Sequence, residues 1–261
     1  MKVWSHLTAT TGCIAMALFL SACGESKNPG GDGEAESTTI RLMETIPVSA
    51  NPSASGGTII GAVRFDGAVP TPRTFVPNKD TEICGTAERT MGDLIVGGGL
   101  GIQNVIVSLA DFPEEKMDVS VEAMVDQQGC VFNPRVVRVA AGAPLVFLNN
   151  DNIFHNIHTK GQDNPPLNKA QPGFMKRIRE TFSEPELFEV ACDVHSWMKG
   201  WVVVQEHSHY AVTDSEGAFV LPNVPPGSYV LKVWHETLGS KSLDVTVVDG
   251  QSVSMDFALS E

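Results

Sequence analysis

From Thr58 onward the chain is a succession of short apolar or alternating stretches, each closed by Gly, Pro, Asn or Asp, and this pattern leaves little room for helices. The stretches fall at 59–65, 105–109, 119–125, 136–139, 145–148, 187–191 and 201–204. Short runs rich in Val, Ile, Leu and Phe between turn formers read as strands. A second group follows the charged segment 205–209, at 218–221, 229–234, 243–248 and 252–259, the last two joined by Asp249-Gly250. That dipeptide is a hairpin signal, because the turn needs a residue that accepts positive φ. The expected fold class is all-β: one sandwich over 58–207 with an N-terminal strand extension, and a second, smaller β-sandwich over 208–261. No fixed-period repeat relates the two.

The beginning of the chain reads differently. Lys2 precedes an apolar run at 12–20 that is too short to span a bilayer, and small residues then lead to a cysteine in Leu20-Ser21-Ala22-Cys23. Residues 1–22 are expected to be a secretory signal peptide. The tetrapeptide resembles the bacterial lipoprotein signal, which implies that Cys23 is acylated, becomes the first residue of the mature chain and anchors it to a membrane. The implied location is the cell envelope, facing periplasm or exterior. Residues 23–57, rich in Gly, Ser, Glu, Pro and Asn, read as a flexible linker with a reach of roughly 30 Å.

Charge narrows the partners. The 18 Lys and Arg against 31 Asp and Glu give −13, and without the leader and its Lys2 the balance is 17 against 31, or −14. Such a surface argues against nucleic acid. Of five cysteines, Cys13 leaves with the leader and Cys23 takes lipid. Cys84, Cys130 and Cys192 remain, an odd number in an oxidising compartment, so one stays unpaired or binds something.

Cys192 is that one. It ends the alternating stretch Leu187-Phe188-Glu189-Val190-Ala191-Cys192, and the loop before Trp201 supplies Cys192, His195 and Met198 with two residues between each pair. A tight loop of that spacing can turn a thiolate, an imidazole and a thioether towards one point. Upstream, Asn149-Asn150-Asp151-Asn152-Ile153-Phe154-His155-Asn156-Ile157-His158 places histidines just beyond the stretch 145–148. His155 is the fourth candidate, in competition with His158. Two imidazoles, a thiolate and a weak axial thioether suit copper, since soft sulfur favours Cu(I) and imidazole accepts both oxidation states. Zinc fits less well, because a neutral methionine sulfur is a poor fourth donor to it.

Cys192-x2-His195-x2-Met198 after a strand, with Phe154-His155-Asn156-Ile157-His158 upstream, resembles the cupredoxins of the amicyanin and plastocyanin kind. The likeness continues back through Phe132-x-Pro134, 136–139, Ala141-Gly142 and 145–150, about 75 residues in all; 58–129 matches less clearly. The resemblance implies a Greek-key cupredoxin sandwich with one type 1 (blue) copper, His155, Cys192 and His195 in the trigonal plane and Met198 axial. It also implies that Asn156 steadies the loop carrying Cys192. Separately, Thr213-Asp214-Ser215-Glu216-Gly217-Ala218-Phe219 with Asn223-Val224-Pro225-Pro226-Gly227-Ser228-Tyr229 resembles the carboxypeptidase-regulatory-like, transthyretin-like module, in which Gly217 and Gly227 serve turns. With Cys192 claimed by the metal, Cys84 and Cys130 are left to each other as a disulfide staple.

Three other features receive plainer readings. His207-Ser208-His209 is expected to be a solvated interdomain link, since metal oxidases need several such pairs. His235 is expected to make surface or interdomain hydrogen bonds. Lys160, Lys169, Lys176, Arg177 and Arg179 against Asp163 make 160–179 locally basic, either a guide for an acidic redox partner or a solvated loop. Taken together, the sequence points to a one-electron carrier serving a redox protein such as a c-type cytochrome or copper enzyme, with no small-molecule substrate. Copper capture and delivery, or a structural or adhesive envelope lipoprotein, are the alternatives. Catalysis is not expected, because four protein ligands leave no open position for substrate and no nucleophile–base pair stands out.

Overall fold

The computed structural model describes residues 56–261, so the expected leader, Cys23 and nearly all of the linker lie outside the described residues. Strands dominate what is described, with one short α-helix, Thr81–Cys84, and a single 3-10 turn at Gly98–Leu100. Among the described residues no helix is long and apolar enough to cross a membrane.

Two sandwiches are present. In the first, a five-stranded sheet runs in the order Asn168–Gln171, His155–Thr159, Glu186–Ala191, Lys199–Gln205, Val136–Ala140, and faces a four-stranded sheet ordered Arg177–Thr181, Pro144–Asn149, Ala123–Gln127, Phe132–Asn133. Their inner faces share one core that includes Val125, Phe132, Leu145, Phe147, Ile157, Phe188, Val190, Val202 and Val204. The strand Lys199–Gln205 shows why its sequence is an unbroken apolar run rather than an alternation. Val202 and Val204 enter this core, while Trp201 and Val203 on the opposite face pack against Ile106, Val136 and Trp234 between the two sandwiches.

The second sandwich departs from the expected boundaries. Strand Gly57–Phe65, assigned by sequence to the first sandwich, is flanked by Ala218–Val224 on one side and by Ser252–Ser254 and Phe257–Leu259 on the other. Ile106–Ala110 likewise sits between Tyr210–Val212 and Gly227–His235. The core formed by Ile59, Val63, Phe65, Ile102, Val107 and Leu109 with Phe219, Leu221, Leu231, Val233, Val245 and Phe257 is therefore built from both ends of the described chain. The cause is physical: residues 208–261 alone supply too few inward-facing side chains to close a core, and two early strands complete it. The first sandwich is thus inserted into the second. Its entering and leaving segments touch, with the Glu115 amide donating to the Glu206 carbonyl at 2.9 Å and the Ser208 amide to the Glu115 carboxylate at 2.9 Å.

Gly217 serves a turn as expected, with φ of +73° and space that a Cβ would lose to the Val63 carbonyl. Gly227 instead opens the strand Gly227–His235.

Candidate metal centre

Three side chains meet at one end of the inserted sandwich. Cys192 follows strand Glu186–Ala191, His155 opens strand His155–Thr159, and His195 lies in the loop that returns to Lys199–Gln205. The loop is tight because the Cys192 amide donates to the Met198 carbonyl at 3.2 Å and the Met198 amide to the His195 carbonyl at 2.8 Å. Cys192 Sγ is 3.8 Å from Nδ1 of His155 and 3.8 Å from Nδ1 of His195, and the two Nδ1 atoms are 3.0 Å apart. Cys192 is 2% exposed and both imidazoles 0%. Met198, 1% exposed, belongs to the same buried cluster as Cys192.

The donor set fits a metal ion. A triangle with those three sides has a centre about 2.1 Å from every corner, close to the distances at which imidazole nitrogen and thiolate sulfur bind such ions. His158, the competing histidine, turns away, its Nδ1 2.9 Å from the Asp193 carboxylate at the surface.

Each ligand-like imidazole is held from behind by a carboxylate. Nε2 of His155 lies 3.0 Å from Asp151 Oδ2, and Nε2 of His195 lies 2.8 Å from Asp80 Oδ2. Asp151 also accepts from the backbone amides of Gly129 and Cys130. Burial raises its pKa, but these hydrogen bonds outweigh burial and hold it below the usual carboxylate value. At His155 burial opposes charge, yet hydrogen bonds to Asp151 and Cys192 prevail and its pKa is raised to about 9. At Cys192 burial again opposes charge, while hydrogen bonds from His155 and His195 bring the thiol down to about 6. The metal-free centre at neutral pH therefore holds a thiolate facing an imidazolium.

Residues 119–205 match the family model described as copper binding proteins, plastocyanin/azurin family. The match spans the strands of the inserted sandwich. Residues 201–260 match the carboxypeptidase regulatory-like domain. Amicyanin-alpha of Methylorubrum extorquens is 33% identical over 78 residues, which make up 28% of this chain and 64% of that protein. Among solved structures, a Cu-containing nitrite reductase from Thermus scotoductus gives a TM-score of 0.31 at 24% identity, covering 39% of this chain and 26% of that one. A purple cupredoxin from Nitrosopumilus maritimus gives 0.27 at 18% identity, covering 33% and 100%.

Around the cupredoxin-type centre, Asn156 ties the loop as expected: its Oδ1 accepts from the Asp193 amide at 2.6 Å and its Nδ2 donates to the Asp193 carboxylate at 3.0 Å. Cys84 and Cys130 form a disulfide, and Cys192 is the free cysteine among the described residues. The approach to His155 rests on a buried polar lattice that sequence reading missed. Asn149 donates to the carbonyls of Ile153 and Gln171, and Gln127 donates to Gln171. Asp151 and Asp80 were also missed; Asp151 stands four residues before His155 in what looks like an ordinary turn, and nothing local marks Asp80.

Three surface readings change. The basic stretch 160–179 is largely neutralised, because Lys160 pairs with Glu189, Lys169 with Glu180, and Arg177 and Arg179 with Glu122. Strand pairing brings Glu189 across to Lys160, whereas Glu180 directly follows the stretch and Glu122 precedes the strand Ala123–Gln127. His207 and His209 are not a solvated link: both are buried around Phe112, and burial lowers the pKa of each. His235 is buried too, its Nδ1 accepting from the Thr237 amide.

Proposed function

We propose that this chain is a one-electron carrier in which His155, Cys192 and His195 would hold a single type 1 copper ion, with Met198 as a weak fourth donor. The observation that carries the reading is the convergence of two Nδ1 atoms and one thiolate sulfur within 3.8 Å in a solvent-free pocket. Copper bound there supplies chemistry that passes between Cu(I) and Cu(II). The chain's part is to hold the donors still: two strand ends fix His155 and Cys192, the Asn156–Asp193 hydrogen bonds fix the loop, and burial excludes water. A site that neither oxidation state has to remodel suits electron transfer.

Four protein donors around one ion leave no position for substrate, which supports a carrier over an enzyme. Full burial of the donors also supports a carrier over a protein that captures and hands on copper, since an ion so enclosed exchanges slowly. The amicyanin likeness makes a redox protein, such as a copper enzyme or c-type cytochrome, the fitting partner. The lipoprotein-like Leu20-Ser21-Ala22-Cys23 places the carrier, in this proposal, on an envelope membrane through lipid on Cys23, facing periplasm or exterior.

The test is addition of Cu(II) to the purified protein, followed by visible and electron-spin spectra. An intense thiolate-to-copper band that disappears in Cys192→Ala is the expected result. Copper bound without that band, equally in both proteins, defeats the proposal.

A further inference from the structure

The edge of His195 is closed by a part of the chain that lies outside the plastocyanin/azurin match. Strands Thr74–Phe75 and Arg89–Thr90 pair antiparallel, and the helix Thr81–Cys84 sits between them. This small hood is fastened to the cupredoxin-type domain in three ways. Cys84 is disulfide-bonded to Cys130, Arg89 donates to the Gly129 carbonyl at 2.7 Å, and Phe75 stacks on Trp197 at 5.3 Å between ring centres.

Asp80 is placed unusually for its position. It is the residue at the N-terminus of the helix, where an aspartate ordinarily turns its side chain back to accept from the helix's own amides. Here its backbone is left-handed, with φ 47° and ψ 41°, and the side chain makes no capping hydrogen bond. The carboxylate reaches instead to Nε2 of His195, 2.8 Å away and 115 residues on in the chain. Aspartate and asparagine enter that backbone region more readily than other non-glycine residues, as Asn104 and Asp111 also do here, so the direction of the side chain rather than the backbone sets Asp80 apart.

We infer that Asp80 is a positioning residue of the metal centre, holding the proton of His195 on Nε2 so that Nδ1 is the free donor facing Cys192 and His155. The inference rests on the proposed copper site. It gives the disulfide a second role beyond stability. Cys84 ends the helix that presents Asp80, while the amide of Cys130 donates to Asp151, the carboxylate behind His155. One covalent link therefore steadies the partners of both imidazoles. Carboxylates hydrogen-bonded to ligand imidazoles fix the tautomer and increase the ligand's basicity, which favours Cu(II) over Cu(I).

The experiment compares the whole chain with Asp80→Asn, Asp80→Ala and Glu82→Gln. Glu82 is exposed on the same hood, so its variant removes a neighbouring charge without removing the hydrogen bond. Loss of such a partner typically costs about 10–100-fold in metal affinity. If Cu(I) binding is unaffected, the two Asp80 variants raise the reduction potential by about 60–120 mV, at about 59 mV per tenfold for one electron. Glu82→Gln leaves it where it was. In the metal-free proteins, nitrogen NMR of His195 shows one tautomer in the parent and a mixture in Asp80→Asn. An unchanged potential and tautomer in Asp80→Asn, or an equal shift in Glu82→Gln, overturns the inference. A parent chain with no thiolate-to-copper band overturns the copper proposal alone, and the metal-free tautomer measurement then still decides the role of Asp80.

Discussion

Oδ2 of Asp151 stands 3.0 Å from Nε2 of His155 and 2.9 Å from the amide of Cys130, so one carboxylate oxygen joins the metal centre to the disulfide. The other oxygen takes the Gly129 amide at 2.5 Å. Both imidazoles of the centre thus present Nδ1 to the sulfur, because a carboxylate claims Nε2 in each case.

Asp151→Asn keeps the shape of this contact but removes its charge. Copper affinity is expected to fall by about 10–100-fold, and the metal-free fold to lose about 1–3 kcal/mol, because buried donors lose a charged acceptor. Competition with a chelator and denaturant melts measure the two effects. An unchanged affinity contradicts the orienting role.

The raised His155 and lowered Cys192 pKa values make a joint prediction about pH. A proton on His155 competes with copper below about 9, and a proton on Cys192 competes only below about 6. From these two groups, affinity climbs about tenfold per pH unit between those values and about a hundredfold per unit beneath them. Stability of the metal-free fold behaves differently. The His155 contribution is complete below 6.5 and is lost as pH rises through about 9, whereas that of Cys192 is complete above 9.0 and is lost as pH falls through about 6. One grows as the other fades, so this pair leaves stability nearly level across the window while affinity rises steeply. Titration of thiolate absorbance in the metal-free protein checks the Cys192 value directly; a midpoint near 9 refutes it.

Replacing Cys84 and Cys130 by Ala frees a loop spanning 46 residues. Chain entropy for a loop of that size puts the loss at about 4 kcal/mol. Denaturant unfolding is expected to find the reduced and double-variant proteins alike, and both less stable than the oxidised protein by about that amount. A loss well under 1 kcal/mol shows that the hood is held by its other contacts.

A fragment of residues 206–261 is expected to remain unfolded, although it carries all but the first five residues of the carboxypeptidase regulatory-like match, because strands Gly57–Phe65 and Ile106–Ala110 are missing from its two sheets. Circular dichroism of the fragment, alone and mixed with residues 56–115, tests this. Cooperative melting of the fragment alone rules the shared core out.

What could be read in the sequence was whatever depends on near neighbours. The spacing of Cys192, His195 and Met198 is set by one loop, and the turn at Asp249-Gly250 by two residues; the hairpin expected there does not form, because Gly239–Val247 pairs with Gly227–His235 and Ser252–Ser254 pairs with Gly57–Phe65. What could not be read depends on partners far along the chain. Ile59 lies opposite Leu221, a choice that no feature of 59–65 announces. Asp80 meets His195 only once the hood has folded, and the acid that pairs with Arg177 and Arg179 is Glu122, just before the strand Ala123–Gln127. The burial of His207 and His209 was hidden for the same reason, since Phe112 covers them from an earlier segment.

The paired neck at Glu115 and Glu206 has a mechanical consequence. A pull applied at residue 56 and resisted at Glu261 is borne in shear by Gly57–Phe65, which is gripped by strands along both edges. The inserted domain hangs beside that line of force rather than within it. As long as the neck stays zipped, tension along the chain leaves the spacing of His155, Cys192 and His195 untouched.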